Sequence, residues 1–231
     1  MRTIQEHRFL SIVIPTLEAA ESLPGTLVAA ANSEIVREII VADGGSRDDT
    51  AVIGEQAGAA VITAPRGRGS QLAAGAAAAR GPWVLFLHAD CQLQPGWTDA
   101  IVAFVSRPYA TSYAGYFALR FDDEAWAARC LERVVTWRSR LLGLPYGDQG
   151  LLIARTLYEA VGGFAPVPLM EDVDLARRLG RRRLRPLDGA VTASARRYRR
   201  DGYLRRPLRN LLCLSLYFIG VPLRHIVRLY G

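Results

Sequence analysis

The chain has 231 residues, half of them hydrophobic and 22% charged, and carries a net charge of +7. That is the composition of a globular chain about one domain long, and it excludes a largely disordered one. Every Lys/Arg-type charge is an arginine, and from Arg177 onward fifteen arginines face two acids, so the first three quarters are mildly acidic and the last quarter strongly basic.

Residues 9–14 are an apolar run that reads as a buried strand ended by Pro15. Residues 22–32 read as a helix. Residues 38–42 read as a second strand, stopped by the turn Asp43-Gly44-Gly45-Ser46. A helix over 49–57, a third strand over 60–63, an alanine-rich helix over 69–80 and a fourth strand over 83–87 follow, the last closed by His88-Ala89-Asp90. Strands alternating with helices predict βαβ units and a mainly parallel sheet covered on both faces. Further on, 113–121 alternates as an antiparallel strand does, 126–142 is an amphipathic helix, and 143–150 is a loop. Residues 151–154 read as a strand, 172–179 as a helix, and 203–230 as one or two amphipathic helices split near Pro222. There is no internal repeat and no low-complexity linker, so a single domain over 1–231 is expected.

Cys91, Cys130 and Cys213 are far apart and form no CxxC pair, which speaks against a disulfide framework or structural zinc and fits a reducing compartment. The first eight residues lack the apolar core of a signal peptide. The longest apolar stretch, 211–223, falls short of the roughly 20 residues a membrane span needs. A cytoplasmic, non-integral protein is expected. Its basic last quarter suits an acidic partner: a phosphate-bearing ligand, an anionic membrane surface or nucleic acid.

Polar residues cluster just after strands: Thr16 and Glu18, Asp43, and Asp90 with Gln92. Ligands of open α/β sheets bind at the carboxyl ends of strands, so these residues mark a candidate site. Asp43 can accept hydrogen bonds from a base or a ribose, and Gly44 allows close approach to the backbone; an ordinary Asp-Gly turn has the same sequence. His88, Asp90 and Gln92 offer nitrogen and oxygen ligands for Mn²⁺ or Mg²⁺, while a helix cap and a strand-end histidine are the plain alternatives. Glu171 and Asp172 open an arginine-rich helix, where the dipole alone favours acids and where a general base would also stay ionised. Arg66 and Arg68, in a Pro-Arg-Gly-Arg-Gly loop before a helix, can hold an anion; the loop is neither GxGxxG nor a P-loop. Arg196-Arg197-Tyr198-Arg199-Arg200 is a basic run that is equally well a solvated face.

In order, these pieces resemble the family 2 glycosyltransferases of the GT-A fold: Ile14-Pro15-Thr16-Leu17-Glu18, Val41 to Asp48, Leu87-His88-Ala89-Asp90, Gly162-Gly163-Phe164, and Glu171-Asp172 with Leu175 and Arg178. The likeness spans roughly residues 9 to 180. Segments 65–69, 147–150 and 194–198 further resemble a small bacterial subgroup named for arsenosugar biosynthesis or for association with radical-SAM/selenodomain proteins. The resemblance implies a nucleotide-sugar-binding half over about 9–110, an acceptor and catalytic half over about 111–200, and a helical tail over about 201–231. It implies that Pro15, Thr16, Glu18, Asp43, Gly44, Arg68, Gln71, Ala89 and Asp90 hold the nucleotide sugar, with Arg196 and Arg197 closing over the diphosphate. Asp172 matches the catalytic base, with Glu171 beside it; Asp148 and Gln149 are expected to face the acceptor. Asp90, with Gln92 and His88, would carry Mn²⁺ or Mg²⁺. His88 stands where the family usually has Asp.

The expected reaction is inverting transfer of a sugar, most naturally UDP-linked, to an acceptor hydroxyl. Three rivals are transfer to a lipid phosphate at a membrane surface touched by the C-terminal tail, a nucleotidyltransferase on a similar sheet, and a non-enzymatic anion or nucleic-acid binder. Packing of the tail onto the domain stands against the first, and the fit of Glu171-Asp172 to acceptor activation against the second. No nucleic-acid motif supports the third, so no nucleic-acid partner is expected.

Overall fold

The computed structural model describes residues 8–31 and 33–230; the reading of residues 1–7 and the end of the first helix at position 32 lie outside them. Its strands are β1 Leu10–Thr16, β2 Val36–Asp43, β3 Ala60–Thr63, β4 Trp83–Phe86, β5 Cys91–Leu93, β6 Ala114–Phe121, β7 Leu151–Ala154 and β8 Leu184–Ala193. Its helices are α1 Leu23–Ala31, α2 Thr50–Gln56, α3 Arg68–Ala78, α4 Trp97–Val105, α5 Trp126–Leu142, α6 Arg155–Ala160, α7 Glu171–Leu179, α8 Arg196–Asp201, α9 Arg205–Phe218 and α10 Leu223–Tyr230. The strands form one sheet in the order β3-β2-β1-β4-β7-β6-β8-β5.

The first four strands of that order are parallel, as βαβ connections require. β7 runs antiparallel to both β4 and β6, while β6 is parallel to β8 and β5 is reversed. The sheet is therefore mainly parallel with two reversed strands. Strand β6 has one antiparallel neighbour and one parallel one, where the alternation at 113–121 pointed to antiparallel pairing alone. A register shift between Tyr116 and Ala118 bends β6 against β8.

Pro15 does not end β1, which continues to Thr16 opposite Asp43. The Val13 carbonyl accepts from the Leu87 N–H, so that residue faces β4. Pro15, two residues on, faces the same side, where β4 has already ended. Its missing N–H thus costs the ladder nothing. Along β1, Leu10, Ile12, Val13 and Ile14 are fully buried, each contributing about 1.5–3 kcal/mol through apolar area removed from water. The alanine-rich α3 lies directly on this strand: a Cβ on Gly75 would sit 2.3 Å from Val13 Cγ1, so only glycine permits that approach.

Helices α9 and α10 confirm the split near Pro222. Arg206, Cys213 and Leu214 of α9 and Ile226 of α10 are buried against the body. No described helix is long and apolar enough to cross a membrane.

Candidate active site

The carboxyl ends of β1, β2 and β4 converge on one rim of the sheet. Because β7 is reversed, its start lies at that rim, with Leu151 opposite Phe86. The turn Gly147–Gln149 just before β7 is thereby set beside His88, so close that a Cβ on Gly147 would lie 2.3 Å from His88 Nε2. β6 and β8 also finish at this rim, with Phe121 opposite Ala193, and the Ser194 N–H donates to the Asp90 carbonyl at 3.2 Å.

Two of the cavities at this rim share part of their lining. A cleft of about 630 Å³ is lined by Pro15, Thr16, Glu18, Arg66, Gln71 and Ala89, among others. A narrower cavity of about 120 Å³ is lined by Asp148, Asp172, Phe121, Tyr146, Tyr198, Arg206, Asn210 and Tyr230. Arg68, His88, Asp90 and Arg197 line both.

Beneath the wide cleft, Asp43 is saturated with donors. The Thr16 and Ser46 hydroxyls donate to one oxygen at 3.0 and 2.5 Å, and the Gly45 and Ser46 N–H groups to the other at 3.0 and 2.8 Å. Burial pushes its pKa up, but these bonds outweigh burial and hold the carboxyl below its usual range. Gln71 donates its amide to the Thr16 carbonyl and, at 3.0 Å, to that of Ala42, tying the two strand ends under Gly44. Glu18 holds a left-handed backbone at φ 51°, with its N–H on Ser46 Oγ and its carboxylate accepting the Arg47 N–H. Strain of that kind is kept where surrounding structure enforces it.

The inner cavity treats its acids differently. Burial raises Asp148 to about 6; Arg138 pulls it down, while Asp172 and Asp90 push it further up. Asp148 Oδ1 is buried with no hydrogen-bond partner among the described residues. Asp172 lines the cavity and accepts the Gly147 N–H at 2.9 Å. It is the second residue of α7, whose first, Glu171, follows Met170, a residue that also holds a left-handed backbone at φ 64°.

Several expected site residues sit elsewhere. Glu171 is 1% exposed and lines neither of these two cavities but a third, of about 20 Å³, that His88 and Asp172 also line; it pairs with Arg68 at 3.3 Å. Burial pushes it up to about 7 even though Arg68 opposes the shift. Its carboxylate lies against the Arg68 guanidinium. Gln149 is 1% exposed. Its oxygen accepts from Ser139 Oγ at 2.7 Å and its amide donates to the Phe117 carbonyl, so it braces the turn from below. Gln92 lies on β5 with its amide against Gly25 of α1, away from the cavities. Arg196 forms an ion pair with Glu21 outside both cavities, whereas Arg197 lines both.

A metal ion fits His88 and Asp90. Burial first, and then Arg68, depress His88 to about 4, so its imidazole is neutral and its lone pair available, and the buried Nε2 has no partner among the described residues. One imidazole nitrogen, one Asp90 oxygen and the Cys91 sulfur lie within 4.8 Å of one another. Cys91 is the poor member of that group, because burial and the neighbouring Asp90 push its thiol well up. A nitrogen and a carboxylate suit Mn²⁺ or Mg²⁺ completed by other oxygens.

The residues missed by spacing are Tyr146, Tyr198, Arg206, Asn210 and Tyr230, which arrive from separate loops and helices. One signal for them existed: Arg206 and Asn210 stand at i and i+4 on α9, on the side away from its outward leucines.

The chain matches the family model "Glycosyl transferase family 2" over residues 11–166, a stretch that ends before Asp172. An uncharacterised glycosyltransferase of Mycobacterium tuberculosis is 32% identical over 132 residues, covering 57% of this chain and 59% of that protein. The undecaprenyl-phosphate 4-deoxy-4-formamido-L-arabinose transferase of Pseudomonas savastanoi pv. phaseolicola is 28% identical over 169 residues, 67% of this chain and 50% of that one. The chain thus spans between half and three fifths of the length of these curated relatives. Among solved structures, the glucosyl-3-phosphoglycerate synthase of Mycobacterium tuberculosis, in complex with Mn²⁺, UDP and glucosyl-3-phosphoglycerate, superposes with a TM-score of 0.58 at 20% identity, over 82% of this chain and 71% of that one. The same enzyme with Mg²⁺ and UDP gives 0.57 at 21% identity, over the same shares of the two chains. These likenesses carry the fold.

Proposed function

The chain belongs to glycosyltransferase family 2, and from that premise we propose that it moves a sugar from a UDP-linked donor to an acceptor hydroxyl with inversion at the anomeric carbon. The observation that carries this reading is the junction of two cavities at Arg68, His88, Asp90 and Arg197, with Asp172 in the inner one. The nucleotide occupies the wide cleft over Thr16 and Asp43, and the acceptor the narrow cavity. Solved relatives of this fold hold UDP together with Mn²⁺ or Mg²⁺, which supports both the donor class and the ion.

In this scheme Asp172 takes the proton of the acceptor hydroxyl as that oxygen attacks the anomeric carbon. The bond from that carbon to the diphosphate breaks, and the electron pair leaves with UDP. Arg68 and Arg197 face the charge that develops there, and Glu171 keeps Arg68 in place. His88 and Asp90 would hold the divalent ion, which when bound would supply further neutralisation of the diphosphate. Asp148, raised to about 6, is protonated in a fraction of molecules near neutral pH and can then donate a hydrogen bond to an acceptor oxygen.

A second reading, transfer to a lipid-borne phosphate, draws on the relative named for undecaprenyl phosphate and on the C-terminal helices that wall the inner cavity. Radiolabelled transfer from a panel of UDP-sugars to water-soluble hydroxyl acceptors, including the small glycoside precursors that the subgroup likeness suggests, and to polyprenyl phosphate decides between the two. Well-folded protein that binds no UDP in calorimetry, with or without Mn²⁺, overturns both.

A further inference from the structure

We propose that the outward faces of α5 and α9 together form a docking surface for an anionic lipid bilayer. The two helices begin close together, and both end against α7 and the turn that follows it. At their starts, the Tyr203 hydroxyl donates to Asp123 Oδ2 at 2.8 Å, and Arg199 pairs with Asp122 and Asp123. At their ends, Arg177 of α7 lies over the Phe218 ring at 5.1 Å, and Gly143 abuts Arg181 just beyond α7. The inner cavity is flanked by both, with Phe121 just before α5, Tyr146 just after it, and Arg206 and Asn210 on α9.

Each helix presents an apolar stripe to solvent. On α5, Trp126 (79% exposed), Val134, Trp137 (58%) and Leu141 recur at helical spacing on one side. On α9 the stripe starts at Leu204 (72%), just before the helix, and continues through Leu208, Leu211 and Leu212 to Ile219 (75%), just after it. Tryptophans with one apolar and one polar edge suit the headgroup level of a bilayer. Arg133 and Arg140 border the α5 stripe and Arg205 the α9 stripe, and no ion pair engages any of them among the described residues. Residues 205–230 contain no acid, and the one acid on α5, Glu132, is buried and paired with Arg120 and Arg129. Apolar stripes edged by unpaired cations are complementary to anionic lipid. A second copy of this chain would set arginine against arginine across the same face, which is why the bilayer and not self-association is the occupant.

The test is flotation of the full chain with vesicles of phosphatidylcholine alone and of phosphatidylcholine mixed with phosphatidylglycerol. Retention on the anionic vesicles, weakened by salt, is expected. A blue shift of tryptophan emission should accompany it, since Trp83 and Trp97 are already buried and the change reports Trp126 and Trp137. The pairs Trp126→Ser with Trp137→Ser, and Leu208→Ser with Leu212→Ser, should each lower partitioning about tenfold or more, while leaving transfer to a water-soluble acceptor unchanged. No retention, or retention that both pairs leave intact, overturns the proposal. So does a concentration-dependent dimer that the same substitutions abolish without any vesicle binding. Flotation is read independently of turnover, so failure of the glycosyltransferase reading and failure of this one are distinguishable.

Discussion

The wide cleft and the narrow cavity handle buried carboxylates in opposite ways. Under the cleft, Asp43 receives four donors and is held as a carboxylate below its ordinary range. In and behind the cavity, Asp148 and Glu171 lack such donors and burial lifts them to about 6 and about 7. The first arrangement builds a rigid floor that a flat ligand can rest on. The second leaves buried carboxyls short of donors beside Asp172, at a cost in stability.

The sharpest way to break this contrast is Asp172→Asn. If the cavity is where the proton moves, turnover should fall about 10²–10⁴-fold while UDP affinity in calorimetry stays near wild type. Turnover close to normal would remove the chemistry from that cavity. Next in size, His88→Ala or Asp90→Asn should lower Mn²⁺-dependent UDP affinity by about 10–100-fold, and chelation of the wild-type protein should reproduce the loss. UDP binding indifferent to metal in the wild type would shift the neutralising role to Arg68 and Arg197.

Stability tests sharpen the contrast further. Asp43→Ala strands several donors, each costing about 1–3 kcal/mol when buried without a partner, and should lower the unfolding midpoint clearly. Its wild-type contribution is present above the unfolded carboxyl pKa and is lost as pH falls, because the folded pKa is depressed. Asp148→Asn should do the reverse at pH 8. With its folded pKa raised to about 6, the native state binds more protons than the unfolded one between about pH 4 and pH 6, so stability drops as pH rises through that window. The asparagine variant lacks that drop, and the gain should be on the order of 1 kcal/mol. Thermal melts at pH 5 and pH 8 check the sign for Asp148, and melts carried below about pH 4 check it for Asp43; a variant less stable than wild type at pH 8 would mean that Asp148 is paired and not merely buried.

Legibility in the sequence follows the same division. β1 to β4 are continuous apolar runs that end in polar residues, and in a parallel sheet both properties point to one rim, so the places of Thr16, Asp43 and Asp90 on it are legible in the sequence. The cavity has no such code. β8 contains Arg185, Pro186, Asp188 and Gly189 and shows no strand period; it is held in place by β6 and β5 on either side. β5 is three residues long, too short for a period to register. α4 was within reach, since Trp97, Ile101 and Phe104 recur at helical spacing and are all buried. Gln92 and Gln149 have the right chemistry for the roles assigned to them but lie on the wrong side of a short strand and a short turn, where a single residue reverses the direction of a side chain. Glu171 and Asp172 are adjacent on a helix and so diverge by about 100°, which sends one to Arg68 and the other to the cavity.

Arg68, His88, Asp90 and Arg197 belong to both spaces, so neither can be filled without altering the electrostatics of the other. A donor and an acceptor placed as proposed would be thermodynamically linked: whatever factor one gains in affinity from the presence of the other is returned in equal measure. Kinetically, under the proposed reading, that sharing makes an ordered addition natural, with the nucleotide sugar setting the four side chains before the acceptor arrives, and it would make spent UDP an inhibitor whose grip depends on how much acceptor is bound.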